Sequence, residues 1–169
     1  MHQLKPLSAE AIPAARAKAE RYRLLNESDL AESICEDILG SDPDDQQALV
    51  MLVLAITDQF GDHGAGARMA RARALLPRLH DAYERTYYDG IICERFARAH
   101  LAHGGPSGDR LASHWFAKAL DLFERSMAIR PAGNDDAVLR WNACARTLNR
   151  HPELEPRAEE RTPAIEAEW

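Results

Sequence analysis

The sequence predicts an all-α protein built from pairs of helices, and three observations lead to this prediction. Ala, Leu, Arg and Glu, which are strong helix formers, dominate the chain, whereas β-branched residues are sparse. Regular alternation of apolar and polar residues, which is typical of strands, is hard to find. Clusters of Gly, Pro, Asn and Asp cut the chain into segments of helical length. These clusters lie at residues 26–29, 40–43, 61–64, 104–108 and 131–134.

Length and charge narrow the class of protein. A chain of 169 residues, of which 46% are hydrophobic, fits one domain with a buried core. Its net charge of −6 disfavours nucleic acid as a partner, because a phosphate backbone attracts basic surfaces. The longest apolar run, residues 48–56, is too short to cross a bilayer, and residues 1–15 lack the apolar stretch of a secretory signal. We therefore expect a cytoplasmic protein with no membrane contact.

We predict seven helices, and local signals support their bounds. They cover residues 13–25, 29–39, 44–60, 65–76, 79–103, 109–129 and 135–148. Pro13 fits an early position of the first helix, where no intrahelical hydrogen bond is lost. Gly40 fits a left-handed cap after the second helix, because it has no Cβ. Asp44 and Asp45 place negative charge at the positive end of the third helix.

Breaks and caps also separate the later helices. Glycines at positions 61 and 64 divide the third helix from the fourth, which Pro77 ends. The stretch 104–108 after the fifth helix predicts a flexible connection, because it lacks the Gly-Lys-Ser/Thr ending of a phosphate-binding loop. One apolar face of the sixth helix contains Phe116, Leu120, Phe123 and Met127. Acidic residues after Asn134, which is a good N-cap, begin the seventh.

The composition changes after residue 150. Residues 151–169 contain six Glu and two Arg, so this segment carries −4 of the net charge of −6, and three prolines interrupt it. Such a segment has too little apolar surface to order itself by burial. We therefore predict a helical repeat domain over residues 1–150 and a flexible acidic tail over residues 151–169.

Similar residues recur 34 positions apart. Pro43 and Pro77 have this spacing. The same offset joins Ala31 to Ala65, Cys35 to Met69, Ile38 to Ala72, Tyr22 to Ile56 and Ala19 to Val53. Small side chains let the two helices of a pair approach closely, and larger apolar ones fill the space between pairs. A repeat of this length predicts stacked helix pairs, each covering the apolar face of its neighbour.

The pattern resembles the tetratricopeptide repeat. The first unit matches it at Ala19, Tyr22, Ala31, Ile38 and Pro43. The second unit matches at Leu49, Val53, Ile56, Ala65, Ala72 and Pro77. In that unit Val53 is larger than the family prefers, and Ile56 replaces an aromatic residue. A third unit, with insertions before its first helix and between its helices, matches at Ala97, His100, Gly104, Ala119, Phe123 and Pro131.

The resemblance implies a right-handed α-α superhelix of about three helix pairs, closed by a capping helix over residues 135–148. It also implies a non-catalytic protein–protein interaction module that binds a peptide or a partner helix in its concave groove. The positions that face this groove by register are Arg16, Glu20, Arg23, Val50, Leu54, Thr57, Glu94, Arg98 and Leu101. This mixed set suits an amphipathic segment with some acidic character. A small export chaperone would be a narrower version of the same class.

A second hypothesis is a small helical metal-binding or ligand-binding protein, or an enzyme, that uses His100, His103 and His114. The first two histidines are one helical turn apart. However, His100 occupies the aromatic position of the repeat and so belongs to the core. His103 lies at a helix C-terminus, where an imidazole suits the helix dipole.

Other chemistry-bearing residues give weaker signals. The cysteines are odd in number, widely spaced and within predicted helices, which favours buried, reduced thiols; they are Cys35, Cys93 and Cys144. The chain contains no Gly-x-Ser-x-Gly elbow, and its acidic pairs lie at predicted helix starts. We therefore predict no catalytic residue, no metal site and no cofactor.

Overall fold

A computed structural model describes residues 3–61 and 64–154 of the chain. These residues form α-helices and contain no strand, so the prediction of an all-α fold is confirmed. The helices are α1 (Ile12–Leu24), α2 (Ser28–Ser41), α3 (Gln46–Asp58), α4 (Ala65–Leu75), α5 (Ala82–His103), α6 (Gly105–Ala128) and α7 (Asp136–Arg150). Short 3-10 turns cover Ala9–Ala11, Leu76–Arg78 and Pro152–Leu154. None of the helices within the described ranges is both long enough and apolar enough to span a bilayer.

Polar side chains stabilise the first turns of α3 and α7. Asp45 Oδ1 accepts a hydrogen bond from the backbone N–H of Ala48 at 3.0 Å. Before α7, Asn134 Oδ1 accepts one from the N–H of Asp136 at 2.9 Å, although Asp135 occupies the N-cap position. Both side chains satisfy backbone donors that the helix itself leaves without a partner.

Gly40 does not have the predicted left-handed conformation. It lies inside α2, and its φ is not positive. The helix continues to Ser41, and the N–H of Asp42 still donates to the carbonyl oxygen of Ile38 at 2.7 Å. Pro43 has no backbone N–H and cannot continue the helical hydrogen bonding. Proline rather than glycine therefore marks the end of this helix.

The predicted flexible connection at residues 104–108 is also wrong. Only Gly104, with φ +68°, lies between α5 and α6, because α6 begins at Gly105. Pro106 suits the first turn of α6, where a missing N–H leaves nothing unpaired. Gly108 lies against the end of α5, and a Cβ there would be 2.9 Å from the backbone oxygen of His100. The glycines therefore permit a tight junction between two long helices.

Consecutive helices pack against each other along the whole described chain. The pairs α1 with α2, α3 with α4 and α5 with α6 are in contact, and α2, α4 and α6 each contact the helix that follows. In addition, α1 contacts α3, α3 contacts α5 and α5 contacts α7. The helices α1, α3, α5 and α7 therefore form a continuous row, whose surface we call the odd-helix face.

Alanines occupy the closest approaches between helices. Five alanines that the repeat pattern singles out have no exposed surface: Ala19, Ala31, Ala72, Ala97 and Ala119. Most of the core forms one apolar cluster that extends from α1 to α7. Between α5 and α6 the approach is closer still, since a Cβ at Gly90 would lie 2.6 Å from the ring of Phe123. Small residues thus set the distances between helices.

The ordered packing extends beyond the predicted domain end at residue 150. Leu154 in the last 3-10 turn is 3% exposed and belongs to the main core cluster. This turn contacts both α6 and α7. Residues 155–169, which make up most of the predicted acidic tail, lie outside the described residues.

Candidate functional site

A pocket of about 520 Å³ opens between α1 and α3. Three of the nine predicted partner-binding residues, Arg16, Glu20 and Val50, line it together. The remaining lining residues are Pro13, Ala17, Ala19, Cys35, Ile38, Gln46, Gln47, Ala48, Met51 and Glu84. We call this cavity the α1–α3 pocket. Its lining combines residues of α1, α2 and α3 with one residue of α5.

The floor of the α1–α3 pocket is apolar. Four of its lining residues are at most 1% exposed: Ala19, Cys35, Ile38 and Ala48. The half-buried side chains of Val50 and Met51 extend this apolar lining along α3. Burial also raises the pKa of the Cys35 thiol to about 12, so the thiol is neutral at physiological pH. The floor can therefore accept an apolar group but offers no reactive nucleophile.

Arg16 lines the pocket with its charge already compensated. Its Nε donates a hydrogen bond to Asp45 Oδ2 at 2.8 Å, and its Nη1 donates to Gln47 Oε1 at 2.9 Å. The Asp45 side chain is only 3% exposed, so this ion pair is screened less than a surface pair. Arg16 therefore joins α1 to the start of α3 and adds little net positive charge to the rim.

Two carboxylates on the rim have no such compensation. Glu20 is exposed and Glu84 is half-buried, and neither forms an ion pair with another residue of the described ranges. Burial raises the pKa of Glu84, and the nearby Asp81 raises it further. A cationic group at this rim would relieve both carboxylates. The mouth of the pocket thus combines an apolar floor with negative charge.

A second group of predicted residues is joined through ion pairs between α1, α3 and α5. Arg23 Nε donates to Asp58 Oδ2 at 2.7 Å. Arg95 also pairs with Asp58, and its Nη1 donates to Thr57 Oγ1 at 2.6 Å and to the Leu54 carbonyl oxygen at 3.0 Å. Burial lowers the pKa of Arg95, while Asp58 acts in the opposite direction. These contacts connect three helices of the odd-helix face and occupy the polar groups of the predicted residues.

Glu94 lies inside the fold. It is 1% exposed, and its Oε1 accepts a hydrogen bond from Arg98 Nε at 2.9 Å. Its Oε2 lies 3.6 Å from Arg140 Nη1 and accepts no hydrogen bond within the described residues. Glu94 therefore links α5 to α7 electrostatically. Leu101, the last of the predicted set, is half-buried and packs against the main core.

Sequence reasoning missed four residues of this surface: Met51, Asp58, Glu84 and Arg95. Met51 directly follows the predicted Val50 and lies one helical turn after Gln47. The stretched third unit of the repeat pattern begins after Glu84, so its register did not include this residue. No local pattern shows that Asp58 pairs with arginines from two other helices, because those partners are 35 and 37 residues away.

The three histidines of the second hypothesis have different surroundings. His100 is half-buried against the ring of Phe96, with centroids 4.6 Å apart, and burial lowers its pKa. His103 Nδ1 lies 2.6 Å from the carbonyl oxygen of Ala99 near the end of α5. His114 is exposed beside the ring of Trp115. Within residues 3–61 and 64–154, no group of three or more His, Cys, Asp or Glu side chains is arranged to hold a metal ion.

Comparisons of this chain with known proteins found no relative. No family model matches the sequence, and neither a curated protein nor a solved structure is significantly similar to it.

Proposed function

We propose that this chain is a non-catalytic, tetratricopeptide-like interaction module. It binds a peptide or helix of another protein on the odd-helix face, and the α1–α3 pocket receives one apolar side chain of that partner. The observation that carries the proposal is the apolar floor of this pocket beside two carboxylates that have no cationic partner within residues 3–61 and 64–154. Such a pocket suits an anchor residue that is desolvated on binding, surrounded by polar contacts.

The helix contacts support the tetratricopeptide-like architecture. Each helix pair packs against the next, and α1, α3, α5 and α7 form one row. Five of the six alanines that the repeat pattern assigns to close approaches are fully buried, and Ala65 is partly buried. A right-handed superhelix with a concave groove along this row is the arrangement that we propose for these contacts.

The charge of the pocket favours a partner segment with basic residues. From the sequence alone, the mixed set of groove positions suits an amphipathic segment with some acidic character. Asp45 and Asp58 compensate those arginines, whereas Glu20 and Glu84 have no cationic partner among the described residues. We therefore propose an amphipathic helix or peptide with one Leu-sized or Phe-sized anchor and Lys or Arg one turn away.

Binding of designed peptides tests this proposal. Fluorescently labelled helical peptides with a central Leu and flanking Lys are compared with peptides of the same length in which Glu replaces Lys. We expect saturable binding of the Lys peptides and much weaker binding of the Glu peptides. Glu20→Lys should weaken binding of the Lys peptides by at least about fivefold, because it places like charges together.

Asp37→Lys is the matched control, since it makes the same charge change on α2 at an exposed residue outside the pocket. It should leave the affinity for the Lys peptides within about twofold of the original value, because an exposed charge outside the contact is screened. The proposal is wrong if the two variants bind equally or if the Glu peptides bind more tightly.

Reversing Arg16 and Arg23 to Glu is a poor test of binding. The sequence alone predicts that this change leaves melting unaffected. In the structure it would place glutamates against Asp45 and Asp58, and so destabilise the contacts of α1 with α3. Loss of binding in that variant would report mainly on folding.

A further inference from the structure

A second pocket, of about 550 Å³, lies between the end of α4, the first half of α5 and the second half of α6. Its lining consists of Arg73, Leu76, Pro77, Arg85, Thr86, Asp89, Leu122 and Arg125. We call it the arginine pocket. It shares no lining residue with the α1–α3 pocket.

The arginine pocket is positively charged on an acidic protein. The lining residues include three arginines and one carboxylate, that of Asp89, so the lining carries +2 while the whole chain carries −6. Clustering cations at one place costs electrostatic free energy. An anion bound between them would recover that free energy.

Two of the arginines are held in place by other protein groups. Arg73 Nε donates to Asp89 Oδ1 at 2.7 Å, and its guanidinium carbon lies 5.2 Å from the ring centroid of Trp115. Arg85 Nη1 donates to the carbonyl oxygens of Leu79 and His80, at 2.6 and 2.9 Å. Binding a ligand would therefore cost these side chains little conformational entropy.

Both anchored guanidinium groups keep N–H donors for a ligand. Arg73 also donates from Nη2 to Cys93 Sγ at 3.1 Å, which leaves Nη1 without an acceptor among the described residues. Arg85 donates hydrogen bonds only from Nη1, so its Nε and Nη2 have no acceptor among the described residues. A planar guanidinium with unused donors binds carboxylate or phosphate oxygens with well-defined geometry.

The third arginine has the least restrained side chain. The side chain of Arg125 is 66% exposed, and the nearest carboxylate oxygen, of Asp121, is 3.9 Å away. It can move toward a ligand without breaking a short hydrogen bond. Arg125 is therefore a suitable residue to change, because its removal should leave the fold intact.

We propose that the arginine pocket binds a small molecule with two adjacent acidic groups, such as a diphosphate or a dicarboxylate. Two negative groups match the +2 charge of the lining. The volume lies within the range of roughly 300–1,000 Å³ that is usual for small-molecule sites. The proposal is independent of partner binding on the odd-helix face.

Isothermal titration with inorganic pyrophosphate and with malonate tests the proposal on the full chain at physiological salt. We expect saturable one-to-one binding of at least one of them, and the tighter binder identifies the acidic group. Arg125→Gln should weaken that binding by about tenfold, which corresponds to the loss of one charge-assisted hydrogen bond. Circular dichroism spectra should show that the variant retains the native helicity.

Arg146→Gln is the matched control, because this residue is exposed on α7 and does not line the arginine pocket. It removes the same charge and should leave the affinity unchanged. Failure of both anions to bind would overturn the proposal. Equal weakening by the two variants would also overturn it, since it would show a general charge effect instead of a site.

Discussion

Asp45 has two roles at a single position. Its Oδ1 caps α3 by accepting a hydrogen bond from Ala48 N–H, and its Oδ2 accepts one from Arg16 on α1. Asp45 is 6% exposed, so the loss of either hydrogen bond would leave a polar group without a partner and with little access to water. The α1–α3 pocket depends on this carboxylate for the relative position of its two walls.

We expect Asp45→Ala to lower the free energy of unfolding by about 1–3 kcal/mol, because it removes a helix cap and one partner of a half-buried ion pair. Asp45→Asn keeps a capping oxygen and should lose less. Urea denaturation followed by circular dichroism measures both. Asp44→Ala, a change of an exposed neighbour, is the control and should unfold at nearly the original urea concentration. Equal loss in the Ala and Asn variants would mean that the cap contributes nothing.

Position 90 requires a glycine because α5 lies against the ring of Phe123 of α6 at this point. Gly90→Ala gains at most about 1 kcal/mol of helix propensity, but it forces a methyl group into the buried ring of Phe123, and such overpacking costs about 1–3 kcal/mol. We therefore expect a lower melting temperature. Gly40→Ala is the matched helical control, since nothing lies within 4 Å of its Cβ, and it should melt at or above the original temperature. Stabilisation by both variants would show that the ring moves freely.

At the scale of elements, the turn Pro152–Leu154 anchors the chain after α7. Leu154 is 3% exposed, and Leu→Ala changes at buried positions cost about 2–5 kcal/mol. We expect a loss near the lower end for Leu154→Ala, because the turn is short and its main contacts are with α6 and α7. Thermal melting measures it, and Leu139→Ala, at a leucine that is 65% exposed, is the control. An unchanged melting temperature for Leu154→Ala would show that the turn is not anchored.

All seven helices could be predicted because their breaks are local in sequence. Clusters of Gly, Pro, Asn and Asp show where a helix stops, but they do not show which of those residues stops it. Helix α2 continues through Gly40 to Ser41, and Pro43 prevents it from continuing further. Residues 105–108 belong to α6, and Gly108 among them packs against the end of α5. Helix ends depend on tertiary contacts that no local pattern contains.

At the scale of the whole molecule, periodic spacing predicted the packing better than it predicted the site. Five of the six recurring alanines are fully buried, because small side chains are needed where two helices approach closely. The candidate site depends on pairs of charges from different parts of the chain, such as Arg16 with Asp45. Register alone placed Arg16, Glu20 and Val50 at one pocket, but it could not show that Arg16 is compensated and Glu84 is not.

The pH dependence of stability reflects thiols distributed over the whole core. Burial raises the pKa values of Cys35, Cys93 and Cys144 from an ordinary value of 9 to about 12. Between these values the unfolded chain has lost the thiol protons and the folded chain retains them. Unfolding therefore releases protons, and stability falls as the pH rises from 9 toward 12.

We expect the urea midpoint to be unaffected by these thiols below pH 9 and to fall above it. Tyr88, whose pKa burial raises to about 12, adds to the fall above pH 10. Midpoints measured at pH 7, 9 and 10.5 give the slope, and Cys144→Ala should make that slope shallower. A slope that is identical with and without Cys144 would show that its thiol ionises alike in both states.

The single glycine between α5 and α6 also has a consequence for kinetics. A hairpin with almost no loop brings its two helices together at little entropic cost, and α5 and α6 pack against each other. We expect this hairpin to form the folding nucleus, with the N-terminal helices condensing on it afterwards. Ala119→Gly, in this hairpin, should then slow refolding, whereas Ala31→Gly, in α2, should mainly accelerate unfolding. Stopped-flow measurements give both rates. If Ala31→Gly slows refolding and Ala119→Gly accelerates unfolding, the nucleus lies at the N-terminus.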